Sequence, residues 1–131
     1  MDQTLTLKLA EFKKAIESLD EVLAKEKTAI IRDSVIKRFE YCFELGWKSA
    51  KIMLATKFGV EVFSPKEVFR TLKQNQLVSD EDAEQLLKMT DDRNDIIHTY
   101  KEALAEGLYT ETKDRYHPLI KNLYTVIEKN G

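Results

Sequence analysis

Apolar positions recur every three or four residues along the chain and nowhere alternate convincingly, a pattern that predicts helices and no strands. In the first periodic segment Leu5, Leu9, Phe12, Ile16, Leu19 and Leu23 fall on one narrow stripe, with lysines and acids opposite. This is an amphipathic helix, expected to lie antiparallel to the next. The second segment, from about Thr28 to Phe58, carries two apolar stripes. One is Val35, Phe39, Cys42, Gly46 and Met53; the other, about 100° around the helix, is Ile36, Phe43, Trp47, Ala50 and Leu54. The polar side is confined to Asp33, Lys37, Glu44, Lys48 and Lys51. A helix apolar over so wide an arc needs cover on two sides, the bundle core on one and a dimer partner as candidate for the other. Gly46 in mid-helix costs about 1 kcal/mol relative to alanine, which predicts the close approach of another helix. Gly59 is placed to end the segment.

Ser64-Pro65-Lys66-Glu67 is a helix start: serine can cap, proline suits the first turn and Glu67 can close a capping box. This third helix is predicted to reach about Asn75. Ser79-Asp80-Glu81-Asp82 opens a fourth, since acids favour a helix N-terminus, with Ala83, Leu86, Leu87 and Met89 as its apolar residues. The last segment places Leu104, Leu108, Leu119, Leu123 and Val126 on one side and is interrupted by Pro118, which is expected to kink it. The predicted fold is all-α: an antiparallel up-and-down four-helix bundle with an additional short helix and a kinked last helix, in one domain over residues 1–131.

Composition fits this. Of 131 residues 43% are hydrophobic and 34% charged, and 6 Phe, 5 Tyr and 1 Trp can build a core without staples. Cys42 is the sole cysteine, which excludes an intrachain disulfide and any cysteine-built zinc site; its place on an apolar stripe reads as inert core. Met1 to Ala10 has no signal-like apolar run and no stretch approaches spanning length, so a cytoplasmic protein with no membrane association is expected. A net charge of −2 argues against a general nucleic-acid coat protein and leaves room for a local basic groove. His98, His117 and scattered carboxylates lack metal-ligand spacing, so neither a metal nor a cofactor is expected. A phosphate-binding glycine loop and a serine nucleophile elbow are also missing.

The segment that can carry chemistry is Asp91-Asp92-Arg93-Asn94-Asp95-Ile96-Ile97-His98-Thr99-Tyr100. Arg93 offers a fork matched to phosphate, and His98 exchanges protons near neutral pH. Cleavage of RNA at a 2′-hydroxyl needs little more, and no metal. Asn94 and His98, four apart, share a helix face. Arg93 and His98 stand about 140° apart on an ideal helix, and completion of the site across a two-fold dimer axis would relieve that separation. Asp95 or Glu102 are candidates to hold the His98 ring. The bland alternative makes Arg93, Asp92 and Asp95 a solvated ion-pair cluster and His98 a polar helix end. Lys66, Arg70 and Lys73 share one face of the third helix and are possible RNA-backbone contacts, or merely solvated surface.

The run Arg93-Asn94-x-x-x-His98-x-Tyr100 resembles the Arg-x4-His-x-Tyr signature of HEPN toxins paired with minimal nucleotidyltransferase antitoxins. The stretch from Arg32-Asp33-Ser34 to Gly46-Trp47-Lys48 looks like the second-helix block of the same family, often labelled nucleotidyltransferase substrate-binding proteins. Ser64-Pro65-Lys66-Glu67-Val68-Phe69-Arg70 is similar to its third block and Tyr116-x-Pro118 to its last, so nearly the whole chain is covered in order. The resemblance implies the toxin of a type VII-like toxin–antitoxin pair, a metal-independent endoribonuclease acting on RNA as a homodimer. Arg93 and His98 would then form the RNase site with Asn94 assisting. Tyr100 would be the residue that a partner minimal nucleotidyltransferase adenylylates to silence the toxin. AMP there adds bulk and negative charge that exclude an RNA phosphate. The older family label implies a second expectation, a non-catalytic subunit that presents substrate to the nucleotidyltransferase; a plain helical adaptor is a third. For Tyr100 the bland alternative is packing near a helix end. Asp91, Asp92 and Asp95 would repel RNA unless paired.

Overall fold

Short polar side chains set four of the helix starts. Asp2 accepts the Leu5 amide, Thr28 the Ile31 amide, Ser64 the Glu67 amide and Ser79 the Asp82 amide, at 3.0, 3.1, 3.3 and 3.0 Å. The helices they open in this computed structural model, which describes residues 1–131, are α1 (Gln3–Leu23), α2 (Ala29–Phe58), α3 (Pro65–Gln74) and α4 (Asp80–His98). Then come α5 (Glu102–Glu111), a π turn (Thr112–Tyr116) and α6 (His117–Asn130). Gly59, with φ of +65°, ends α2 in the left-handed conformation that glycine adopts without strain. The capping box at α3 is real but shifted: the Glu67 carboxylate accepts the Phe63 amide (3.4 Å) and the Ser64 hydroxyl (3.2 Å).

The architecture is the all-α bundle the periodicity predicts, with α3 as the short extra helix. The kink expected at Pro118 takes a particular form. A π turn immediately precedes the proline, which sits in the first turn of α6, where its missing N–H leaves little unsatisfied. The chain from Glu102 to Asn130 therefore runs on with a widened turn in its middle.

One expectation is corrected. Both apolar stripes of α2 are consumed inside the chain: Val35, Phe39, Cys42 and Met53 are buried, and so are Ile36, Phe43, Ala50 and Leu54. Phe39 stacks on Tyr116 with centroids 5.8 Å apart, and Phe43 meets Phe69 of α3 edge-on at 6.1 Å. The second cover for α2 is its own α3, not a partner, and only Trp47 of those stripes stays partly exposed. The close approach inferred at Gly46 is present. A Cβ there would lie 3.0 Å from Phe12 Cζ of α1 and 3.1 Å from Leu123 Cδ2 of α6. Gly46→Val is expected to lower the unfolding free energy by about 1–3 kcal/mol, measured by urea denaturation.

Cys42 is fully buried, and burial first, with Asp20 adding to it, pushes its thiol up to about 12. A thiol reagent at pH 8 should leave folded protein unlabelled and react once urea unfolds it; rapid labelling without denaturant would contradict this burial. His117 has a structural partner that its sequence neighbours do not reveal: it is hydrogen-bonded to Asp20, which also pairs with Lys121 at 3.0 Å, tying α1 to α6. No helix is long and apolar enough to cross a membrane.

Candidate functional site

Two side chains from the end of α4 reach across to the outward face of α2. Arg93 is the first. Its Nη2 donates to the Glu44 carboxylate, its Nη1 donates to Asn94 Oδ1 at 3.0 Å, and the guanidinium lies 4.7 Å from the centroid of the Phe43 ring. Lys48 steadies Glu44 from the next turn at 3.2 Å. The Arg93 side chain is 19% exposed, and its Nε is buried without a hydrogen-bond partner. Each terminal nitrogen carries two hydrogens and uses one, which leaves a pair of N–H donors for an anion.

Tyr100, two residues past α4, is the second. Its phenol donates to Asp33 Oδ1 at 2.7 Å, and Asp33 also accepts from Arg32 Nε at 3.0 Å. Arg32 is only 6% exposed, and its Nη1 reaches Glu102 at 3.3 Å and Glu106 at 3.0 Å. Arg32 thereby fastens the start of α5 to the start of α2. Tyr100 itself is 57% exposed, so it is held by one hydrogen bond and not by packing. The bond to Asp33 raises the Tyr100 phenol and, with Arg32, holds the Asp33 carboxyl below the usual carboxylate value.

That coupling has a measurable consequence. Asp33→Asn removes the charge that stabilises the protonated phenol, so Tyr100 should titrate at lower pH, closer to the ordinary tyrosine value of about 10. Phenolate absorbance against a Tyr100→Phe blank reads this, and an unchanged titration would contradict the contact. Three carboxyls are held low: Asp33; Glu106, by Lys27 and then Arg32; and Asp20, where burial opposes the charge but Lys121 and His117 outweigh it. Groups whose folded value is depressed stabilise the fold above their unfolded value and lose that contribution as pH falls. Urea midpoints should therefore hold from pH 7 to about 5 and drop as the pH is lowered below about 4.

The structure brings Arg93, Asn94 and Glu44 together and gives His98 no contact with them by hydrogen bond. His98 is the last residue of α4, exposed, with no side-chain hydrogen bond in the chain. Arg93 turns toward α2, and five residues on an ideal helix set His98 about 140° around from it. Neither Asp95 nor Glu102 holds the His98 ring; Glu102 belongs to Arg32. The ion-pair cluster of Arg93 with Asp92 and Asp95 is also absent. Asp92 takes the Tyr116 hydroxyl and pairs with Lys88 at 3.6 Å, and Asp91 pairs with Lys66 at 2.6 Å. Burial, then Asp92, pushes the Tyr116 phenol far up, so it stays a donor to that carboxylate. Of the three acids that threatened to repel RNA, two are thus paired.

On α3, Lys66 is committed to Asp91, and Lys73 lies 3.9 Å from Asp80; Arg70 has no carboxylate partner. Sequence reasoning missed Arg32, Asp33 and Glu44 as site residues. A signal existed for two of them, because Asp33 and Glu44 belong with Lys37, Lys48 and Lys51 to the polar side of that helix. What it could not supply was the identity of the side chains that reach them. No group of three or more histidines, cysteines or carboxylates is placed to hold a metal ion.

A family model described as nucleotidyltransferase substrate binding protein like matches residues 7–129. The chain belongs to that family. Among solved structures, a Thermus thermophilus protein is 36% identical, covering 88% of this chain and 98% of its own, with a TM-score of 0.81. A tri-AMPylated Shewanella oneidensis HEPN toxin in complex with its MNT antitoxin is 22% identical over 98% of this chain and 99% of its own, also at 0.81. A toxin–antitoxin structure with AMP-PNP is 22% identical over 97% and 99%, at 0.79. At 22% identity these last two establish a shared fold. No curated protein matches. This member of the nucleotidyltransferase substrate-binding-like family thus has the HEPN fold that its motifs resemble.

Proposed function

We propose that the chain is the toxin of a HEPN–minimal nucleotidyltransferase pair: a metal-independent endoribonuclease, active as a homodimer, silenced when its partner adenylylates Tyr100. The observation that carries this reading is the Arg93 clamp. A guanidinium stacked on Phe43 and steered by Asn94 and Glu44, with two donors still open, is prepared to receive a phosphodiester. The RNA 2′-oxygen attacks phosphorus, the 5′-oxygen leaves, and Arg93 stabilises the charge gathering on the non-bridging oxygens. His98 takes the 2′-proton or returns one to the 5′-oxygen. Asn94 orients Arg93.

Arg93 engages α2 while His98 is exposed and unpartnered, and the five-residue spacing sets them about 140° apart on an ideal helix, which supports a site completed by a second copy. The same end of the molecule offers apolar surface for one: Ile97 is 50% and Leu104 39% exposed beside a groove of about 470 Å³ between α4 and α5. Tyr100 is exposed to an incoming enzyme, and the Shewanella relative is described as AMPylated in its complex. One feature favours the second reading, a non-catalytic subunit that presents substrate to the nucleotidyltransferase: Glu44 already compensates the Arg93 charge.

Purified protein incubated with single-stranded RNA in EDTA separates the two. On the ribonuclease reading the wild-type chain cuts and His98→Ala does not. Equal cutting by both would remove His98 from the chemistry. No cutting by either, with a stable complex formed on adding the nucleotidyltransferase, would establish the second reading.

A further inference from the structure

Arg93 and Tyr100 are both anchored to one strip of α2. As the chain advances from Arg93 to Tyr100, their partners on α2 step back from Glu44 to Asp33, roughly 16 Å along the helix axis. Between these anchors, on the same outward face, stand Lys37 and Tyr41; beyond Glu44 the face continues with Lys48 and Lys51. At about 100° per residue, positions 33, 37, 41, 44, 48 and 51 all lie within roughly 80° of arc. Tyr41 is 52% exposed, a large aromatic face that the fold does not use, and the Lys37 ammonium lies 5.6 Å from its ring centroid. Farther along, the Lys51 ammonium lies 5.3 Å from the ring of Phe63, itself 70% exposed.

Lysines alternating with unburied aromatic rings, in a line that passes the Arg93 fork, are the elements of a single-strand track. Rings stack bases regardless of sequence and cations follow the backbone. The acids on this strip are already engaged: Asp33 by Tyr100 and Arg32, Glu44 by Arg93 and Lys48, and Glu40 by Lys37 at 3.6 Å. On α3, Lys66 and Lys73 are likewise drawn to carboxylates; the α2 strip differs in its exposed Tyr41 ring and in Lys51, which pairs with no carboxylate and faces the Phe63 ring.

We propose that the outward face of α2, with Tyr41 as base-stacking platform and Lys37, Lys48 and Lys51 as phosphate contacts, is the seat along which single-stranded RNA is led to Arg93. This rests on the reading of the chain as a protein that acts on RNA and adds where the strand lies. Modification at Tyr100 would then place a nucleotide at the end of the strip, where it blocks the track as well as the chemistry.

The test is fluorescence anisotropy with a labelled single-stranded RNA of mixed sequence, in EDTA, using full-length His98→Ala protein so that the probe is not cut. Adding Tyr41→Ala should weaken binding about tenfold, and Tyr41→Phe should restore it. Lys37→Ala should lessen the dependence of affinity on salt by about one phosphate contact. A double Arg70→Ala, Lys73→Ala change should alter affinity by less than about twofold. All four positions are exposed, so the variants should fold. If the parent binds RNA and the α3 pair, not Tyr41 and Lys37, governs affinity, the α2 track is wrong while the ribonuclease reading stands. A change in oligomeric state on Tyr41→Ala, seen by light scattering, would mean that the face joins two copies instead. A parent that binds no RNA would overturn both readings.

Discussion

Arg93→Ala is expected to slow RNA cleavage in EDTA by about a hundredfold to a thousandfold, the usual loss when one donor to a developing oxyanion is removed. The affinity for uncut RNA should fall much less, because other cations share the backbone contacts. Arg93→Lys should not rescue the rate. A lysine is a point charge on a flexible stem; it cannot donate to Asn94 and Glu44 and still present two parallel donors to phosphate. The Phe43 face, which a planar guanidinium covers at 4.7 Å, would also be less well matched by an ammonium. Single-turnover cleavage of a defined RNA measures this. If lysine restored the wild-type rate, bulk charge rather than a fixed fork would be all the site requires.

Phe43→Ala should have the largest effect on stability together with a loss of function. Phe43 is 1% exposed, packs edge-on against Phe69 and supports the Arg93 guanidinium on its other face. Truncating a buried phenylalanine costs about 3–5 kcal/mol, a large share of the stability of a domain this size. Phe12→Ala is the control. Phe12 is equally buried and packs edge-on against Tyr124 between α1 and α6, so it should cost a similar amount while its folded fraction cuts RNA at the normal rate. Urea denaturation and cleavage rates measured on the same samples distinguish a platform from a filler. Equal activity per folded molecule in both variants would remove Phe43 from the site.

Much of the fold is legible in the sequence because its rules are local. The cap at Ser64, the helix opening at Ser79 and the stop at Gly59 are written in short local patterns, and each stands where those patterns put it. The apolar stripes of α2 identify what is buried but not what buries it, since a stripe does not name its neighbour. A second copy is therefore the natural expectation where α3 in fact supplies Phe69. Pro118 announces an irregularity but not its form, a widened π turn whose last residue, Tyr116, seats against Phe39 and Asp92.

The site divides in the same way. Arg93, Asn94, His98 and Tyr100 are close in sequence and can be picked out together. Their partners Glu44 and Asp33 lie 49 and 67 residues away, and only tertiary packing selects them from the polar positions of α2. The separation of Arg93 and His98, by contrast, follows from helical geometry alone. The fold engages Arg93 with Glu44 of α2 and leaves His98 without a partner.

Mixing two inactive chains tests the composite site most directly. Arg93→Ala protein retains His98, and His98→Ala protein retains Arg93. If one copy lends its arginine to the histidine of the other, refolding the two together creates mixed dimers with one intact site each. The expected result is cleavage, in EDTA, by the mixture and by neither chain alone. A mixture that forms heterodimers but stays as inactive as its components would contradict a shared site.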